Sequence, residues 1–185
     1  EIYSALCYED NYYSISQYED IKDKVIVVSG FSKTFSMTGL RIGYVCACKN
    51  YMDSILKVHQ YTTTCAPSIS QYGALEGLRS CSEDVAYMKN EFKKRKDYIY
   101  KRLKGMGIKT SMPKGAFYIF PDISNFGLTS EEFCEKLLNE AKVAIVPGSA
   151  FGKIGEGFAR ISYAYSMKEL KECLDRMEKW ANALK

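Results

Sequence analysis

Lys33 and Arg41 stand in the segment Ser29-Gly-Phe-Ser-Lys-Thr-Phe-Ser-Met-Thr-Gly-Leu-Arg-Ile-Gly-Tyr44, with the hydroxyls of Ser32, Thr34, Ser36 and Thr38 around them. A lysine amine that is desolvated, or set beside another cation, has its pKa lowered and can condense with an aldehyde to give a Schiff base. A planar guanidinium fork grips a phosphate bidentately, and hydroxyls supply further donors. The segment therefore carries a donor set for carbonyl chemistry on an anionic ligand. The same residue types also fit a hairpin turn with a solvent-facing lysine and a surface arginine, and composition alone leaves both readings open. Two rival motifs fail on spacing. A Walker A loop needs glycine immediately before the lysine, where Ser32 stands, and a Ser-x-x-Lys nucleophile needs serine where Gly30 stands.

The elements that must position these residues follow from periodicity. The run Lys24-Val-Ile-Val-Val28 has the β-branched content of a buried strand, and Arg41-Ile-Gly-Tyr-Val-Cys-Ala47 supplies a second, so Lys33 is expected in a loop between strands near 24–29 and 41–48. Residues 1–23 read as tyrosine-rich turns. Helices are expected over 68–79 and 82–104, the first capped by Ser68 or Ser70 and burying Ile69, Tyr72, Leu75 and Leu78, the second stopped by Gly105 or Gly107. Beyond Gly107 the pattern changes to short elements. Strands are expected at 108–111, 116–120, 144–147 and 159–162. A helix at 130–141 is capped by Thr129 or Ser130, with Glu131 and Glu132 at the positive end of its dipole, and a final helix covers 167–184. This is an α/β pattern, a small sheet with helices packed on one face, and the domain boundary is placed near Arg95, giving 1–95 and 96–185.

Composition narrows the partners. The 26 basic and 22 acidic residues are scattered in both signs, so the net charge of +4 forms no nucleic-acid footprint. The basic stretch Phe92-Lys-Lys-Arg-Lys-Asp97 reads as a solvated helix face. Seven cysteines, an odd number without metal spacing, indicate a reduced, cytoplasmic protein, with Cys46 and Cys48 packing on one side of a strand. His59 is the only histidine, which argues against multi-histidine metal sites and catalytic triads. No leader pattern and no apolar run of about eighteen residues is present, so neither secretion by its own signal nor membrane insertion is expected.

The stretch Ser-Lys-Thr-Phe-Ser-Met-Thr-Gly-Leu-Arg-Ile-Gly-Tyr resembles the cofactor-lysine signature of class I/II aminotransferases, pyridoxal-phosphate enzymes of fold type I. Four further segments resemble the family in its order: Thr62-Thr-Thr-Cys-Ala-Pro-Ser-Ile-Ser-Gln-Tyr72, Lys114-Gly-Ala-Phe-Tyr-Ile-Phe120, Val143-Ala-Ile-Val-Pro-Gly-Ser-Ala-Phe-Gly152 and Phe158-Ala-Arg-Ile-Ser-Tyr163. The resemblance implies that Lys33 carries pyridoxal 5'-phosphate, that Arg41 and Ser32 contact its phosphate, that Tyr3 bonds its phenolic oxygen and that Arg160 binds the substrate α-carboxylate. Many family members place a serine three before the lysine, where this chain has Gly30.

The family's aspartate, three before the tyrosine, would fall ahead of Glu1. The resemblance therefore implies the C-terminal part of the large domain plus the α/β small domain, with strands built for a larger sheet and apolar surface left open. The implied activity is amino-group transfer from an amino acid to a 2-oxo acid by a homodimeric full-length enzyme, with the C-terminal portion inactive alone. A carbon–sulfur lyase of the same fold and a non-catalytic fragment or binding module are the alternatives. Taken without the resemblance, Tyr3 and Arg160 read as a packing tyrosine and a surface arginine, and Tyr118 as a strand residue that either lines the substrate entrance or packs a core.

Overall fold

The computed structural model describes residues 1–8 and 11–184. Contacts divide the chain into two units, Glu1–Lys89 and Asn90–Lys185, at a point inside one long helix.

In the first unit the opening residues form short 3-10 turns at Ser4–Leu6, Ile15–Gln17 and Glu19–Lys24. Strand β1 (Ile26–Gly30) leads into a single helical turn, α1 (Phe31–Thr34), and returns through β2 (Gly43–Ala47). The strands pair antiparallel from Ile26 opposite Ala47 to Gly30 opposite Gly43. Lys33 thus lies on α1 rather than in a plain loop. The strand expected to be buried is not: Ile26 and Val28 are 46% and 59% exposed. The two strands form a sheet of their own, and the β-branched run was read as a strand covered on both faces.

Helix α2 (Lys49–Thr62) was not foreseen, although its apolar positions Met52 and Ile55 have helical spacing. His59 is exposed in its last turn. Helix α3 (Ser68–Ser80) turns the expected face outward: Ile69, Tyr72 and Leu78 are 77%, 74% and 65% exposed, while Ser70, Ala74 and Gly77 are buried. The reason is close approach. A Cβ on Gly77 would lie 3.1 Å from Met37 Cε and 3.3 Å from the Phe35 ring, and one on Gly73 would lie 3.1 Å from Leu40 Cδ1. The small side of α3 therefore rests on the turn that follows Lys33. Neither Ser68 nor Ser70 caps the helix, because Pro67 occupies the cap position and no side chain bonds there.

Helix α4 (Ser82–Gly105) crosses from one unit into the other. Its end is closed by Gly107 at φ 78, which lets Ile108 N–H return to Leu103 O at 3.0 Å. The basic run within it is only partly solvated. Lys93 and Lys94 are exposed, but Arg95 lies over the Phe92 ring at 5.3 Å, and buried Lys96 sits 3.2 Å from Asp97.

The second unit holds a three-stranded sheet in the order β3 (Tyr118–Ile119), β5 (Ala159–Ser162), β4 (Val146–Pro147), all antiparallel. The expected strand at 108–111 is reduced to a single bridge between Lys109 and Asp122. Helices α5 (Ser130–Ala141) and α6 (Met167–Ala183) cover the face bearing Ile119, Ala159 and Ile161. Capping boxes start both helices: Thr129 exchanges bonds with Glu132, and Ser166 with Glu169. Phe133, Leu137, Leu174 and Met177 are almost wholly buried, and the Trp180 indole N–H donates to Glu140 at 2.7 Å. Arg102 of α4 bonds both Asp175 and Glu178 of α6, at 2.8 and 2.9 Å. The chain is α/β.

Candidate active site

In the first unit Ser32, Lys33 and Arg41 lie on the connection between β1 and β2, and the 3-10 turn that follows Tyr3 runs close to α1. Phe31 is buried and anchors the corner, with its ring stacked on Phe35 at 5.6 Å and set edge-on to Tyr44 at 5.8 Å. Its N–H donates to Ile42 O, and its carbonyl accepts from Phe35 and Met37, so α1 closes onto the start of β2. Thr38 Oγ1 donates to Ser32 O at 3.1 Å, and Arg41 Nη1 donates to Thr38 O at 2.9 Å. The turn therefore ties Ser32 to Arg41 through Thr38.

Ser36 and Arg41 both hold positive φ, 54° and 50°. Non-glycine residues there cost on the order of 1–2 kcal/mol each, a strain the surrounding contacts must sustain. The segment carrying Tyr3 is laid along β1. Glu1 N donates to Val28 O at 2.6 Å, Ser29 Oγ donates to Glu1 O at 3.3 Å, and the turn after Tyr3 packs on α1. Gly30 permits this approach, since a Cβ there would lie 3.4 Å from Ile2 Cδ1 and 3.3 Å from Ile42 O. That is a packing reason for glycine where serine was looked for. A cleft of about 770 Å³ in this unit is lined by Glu1, Ser14, Glu19, Lys22, Tyr44 and Cys46, and it does not include Ser32, Lys33 or Arg41.

In the second unit, Arg160 projects from β5 on the sheet face opposite the core, because its neighbours Ala159 and Ile161 point inward. Its Cζ lies over the Tyr118 ring at 4.6 Å and over the Phe151 ring at 4.8 Å. Its Nε is buried without a hydrogen-bond partner, and no ion pair is made to it among the described residues. A cleft of about 460 Å³ beside β5 and α6 is lined by Arg160 together with Ser162, Tyr165, Lys142, Glu169 and Arg176.

Phe151, which was not singled out from the sequence, sits on a loop pinched shut by two glycines. A Cβ on Gly148 would overlap the Gly155 carbonyl, one on Gly155 would overlap that of Gly148, and Gly148 N–H donates to Phe158 O at 2.8 Å. Glu156 fastens the neck by accepting Ser130 N–H at 2.7 Å and Ser130 Oγ–H at 2.8 Å. Those bonds, the backbone one foremost, hold its carboxyl below the usual range. The segment Val143–Gly152 was marked by the resemblance as a strand and turn lining the substrate entrance, but nothing in it set Phe151 apart from its neighbours.

The donor set of the first unit is of a kind that suits a phosphate-bearing aldehyde: one amine, one guanidinium and the Ser32 hydroxyl lie on a turn whose backbone is held by its own hydrogen bonds, while Thr38 and Ser36 spend their hydroxyls on Ser32 O and Met88 Sδ. The arginine of the second unit suits a carboxylate. No group of three or more His, Cys, Asp or Glu side chains able to hold a metal ion occurs among the described residues. No helix there is long and apolar enough to cross a membrane. All seven cysteines are free thiols.

The lysine thus stands on a turn between antiparallel strands, and the arginine on the open face of a three-stranded sheet, in an α/β chain. The profile of aminotransferase class I and II matches residues 1–177, and the chain belongs to that family. It is 51% identical to a probable N-acetyl-LL-diaminopimelate aminotransferase of Bacillus subtilis, over 96% of this chain and 45% of the relative. It is 48% identical to an aspartate aminotransferase of Pyrococcus abyssi, over 97% of this chain and 47% of the relative. The crystal structure of an aromatic aminotransferase from Pyrococcus horikoshii superimposes with a TM-score of 0.95 at 44% identity, covering 99% of this chain and 50% of that one. The chain thus spans about half the length of the relatives it matches. The names of these relatives give no support to the carbon–sulfur lyase alternative.

Proposed function

We propose that the whole protein is a pyridoxal-phosphate-dependent aminotransferase, moving an amino group from an amino acid to a 2-oxo acid as a homodimer, and that this chain supplies the C-terminal half of its site. What supports the reading is the single turn that runs from Ser32 and Lys33 to Arg41, tied through Thr38, in a chain that belongs to this family. Lys33 would hold the cofactor through its amine, Arg41 and Ser32 its phosphate, and Tyr3 its phenolic oxygen. When bound, the pyridine ring draws off the electron pair left at the substrate α-carbon.

The remaining work belongs to the side chains. Lys33 Nζ, once the amino group of the incoming amino acid has displaced it, would be free to move the proton at the substrate α-carbon. Arg160 takes the α-carboxylate in its fork and so orients the Cα–H bond. Lysine at that position would keep the charge and lose the two parallel bonds. Residues 1–95 would be the remnant of the large domain and 96–185 the small domain. Because about half of the relatives' length lies outside this chain, it is expected to be inactive alone. The free thiols accord with a reducing compartment such as the cytoplasm.

The test is to incubate the chain with pyridoxal 5'-phosphate, reduce with borohydride and map the adduct by peptide mass spectrometry. Label on Lys33 that vanishes in Lys33→Ala is the expected result, and equal label on the surface lysines would overturn the assignment of Lys33 in this chain. For the whole protein, amino-group transfer that depends on the 2-oxo acid is expected. Ammonia release without that dependence would sink the aminotransferase reading.

A further inference from the structure

We infer that Tyr118 and Phe151 are positioning residues that clamp the Arg160 guanidinium, so that its terminal amino groups meet an incoming carboxylate in a preset orientation. The functional half of this inference rests on the reading of Arg160 as the carboxylate site; the clamp itself rests on geometry.

Three observations carry it. First, the guanidinium lies over two rings from different elements, Tyr118 at 4.6 Å from β3 and Phe151 at 4.8 Å from the pinched loop. The strand register makes the first contact natural, because Tyr118 is opposite Ser162 and so stands diagonally across from Arg160 on the same face. Second, Nε is buried and unbonded. A buried donor without an acceptor is costly, and here the flat, weakly hydrated guanidinium is compensated by ring faces rather than by an acceptor. A carboxylate or carbonyl placed at Nε would compete with the ligand for the fork, whereas rings hold the cation and leave the bonds of the terminal nitrogens to the ligand. Third, each ring is secured independently. Tyr118 follows Phe117, whose ring lies 4.7 Å from it and whose carbonyl accepts from Tyr163 N–H at 3.0 Å. Buried Tyr163 also donates its hydroxyl to Ala116 O at 3.1 Å. Phe151 is delivered by the Gly148–Gly155 crossing and the Glu156–Ser130 bonds, and it meets Phe120 edge-on at 5.9 Å.

The exposure of Phe151 decides between a clamp and ordinary packing. The residue is 52% exposed, so about half of its surface stays in solvent rather than in a core, and its ring contacts are to Arg160 and Phe120. Holding an arginine at its tip before the ligand arrives removes rotamer entropy that binding would otherwise lose.

The test reads the arginine directly, without cofactor or turnover. Proton–nitrogen spectra of the arginine Nε–Hε groups are recorded on the isotope-labelled chain, with Arg160→Lys identifying the resonance and the Trp180 indole N–H reporting on the fold of the unit. In the wild type the Arg160 Hε is expected upfield, under the ring faces, and slow to exchange. In Phe151→Leu and Tyr118→Leu that displacement shrinks and exchange quickens roughly fivefold, the loss of one cation–π contact, while Phe151→Tyr retains both properties. An Arg160 signal unchanged in Phe151→Leu, or changed equally in Phe151→Tyr, overturns the clamp. Sodium succinate is then titrated into each variant. A shift of the Arg160 signal that weakens in Phe151→Leu and is kept in Phe151→Tyr supports the preset fork. A clamp signature with no response to succinate would instead strike down the carboxylate reading of Arg160.

Discussion

The lysine corner and the arginine sheet solve the same problem, holding a charged side chain ready, with opposite means. Around Arg160 the second unit builds a closed core of Ile99, Leu103, Phe133, Leu137, Leu174 and Met177 under the sheet, and the arginine rides on its outer face. Around Lys33 the first unit buries little beyond Leu6, Tyr8, Phe31 and Ala74, and it relies on strained backbone, small residues and a hydrogen-bonded turn. A side chain carried on a core can be preset by its own unit. One carried on a strained turn depends on what presses against that turn, and α3 does so through the buried, near-featureless face of Ala74 and Gly77.

The contrast is sharpest in a core deletion. Phe133→Ala is expected to remove about 3–5 kcal/mol from the second unit, read by urea unfolding followed at Trp180, whose ring stands edge-on to Phe133 at 5.1 Å. A loss under about 1 kcal/mol would deny that unit its self-sufficiency. Next in size is Gly155→Ala. The new methyl meets backbone that cannot swing aside, so about 2–3 kcal/mol is expected, together with loss of the Arg160 clamp signature. Unchanged stability would mean the neck of the loop can open.

Acid should weaken the second unit in a predictable direction. Glu156 is held low by Ser130 N–H and hydroxyl, and Glu132 by Thr129 N–H and hydroxyl. Carboxyls with depressed folded pKa contribute stability that is fully present above their ordinary value of 4.5 and is lost as pH falls below it through the folded value. The urea midpoint at Trp180 is therefore expected to fall below pH 4.5, with a shallower fall in Glu156→Gln; equal slopes would detach the neck from this response. The smallest effect belongs to the open face of α3, where Leu78→Ser is expected to change stability by no more than about 0.5 kcal/mol. A large loss there would show that this face is covered in solution.

Much of this could be read from residues alone. The strand at 159–162, the helix at 130–141 and the helix from 167 were expected where they stand; of the two caps open for the helix at 130, Thr129 is the one used, and the reciprocal bond to Glu132 was not foreseen. The lysine segment stood out by residue type, but its reading as a cofactor site came from the family resemblance, since residue type left a plain hairpin turn equally open. The facing of α3 did not show, because the period of Ile69, Tyr72, Leu75 and Leu78 identifies a helix without saying which side meets protein; Gly73 and Gly77 mark the closer contact. The ring pair over Arg160 was also out of reach, since it joins residues brought together only by the strand register and the closed loop.

The crossing of Gly148 and Gly155 makes the residues between them a detachable cassette. Ile154, at 96% exposure, can change without disturbing any strand, while whatever occupies position 151 is presented to Arg160 from the same fixed neck. The ring set against Arg160 can thus be exchanged by one loop residue, with the sheet and its core left as they are.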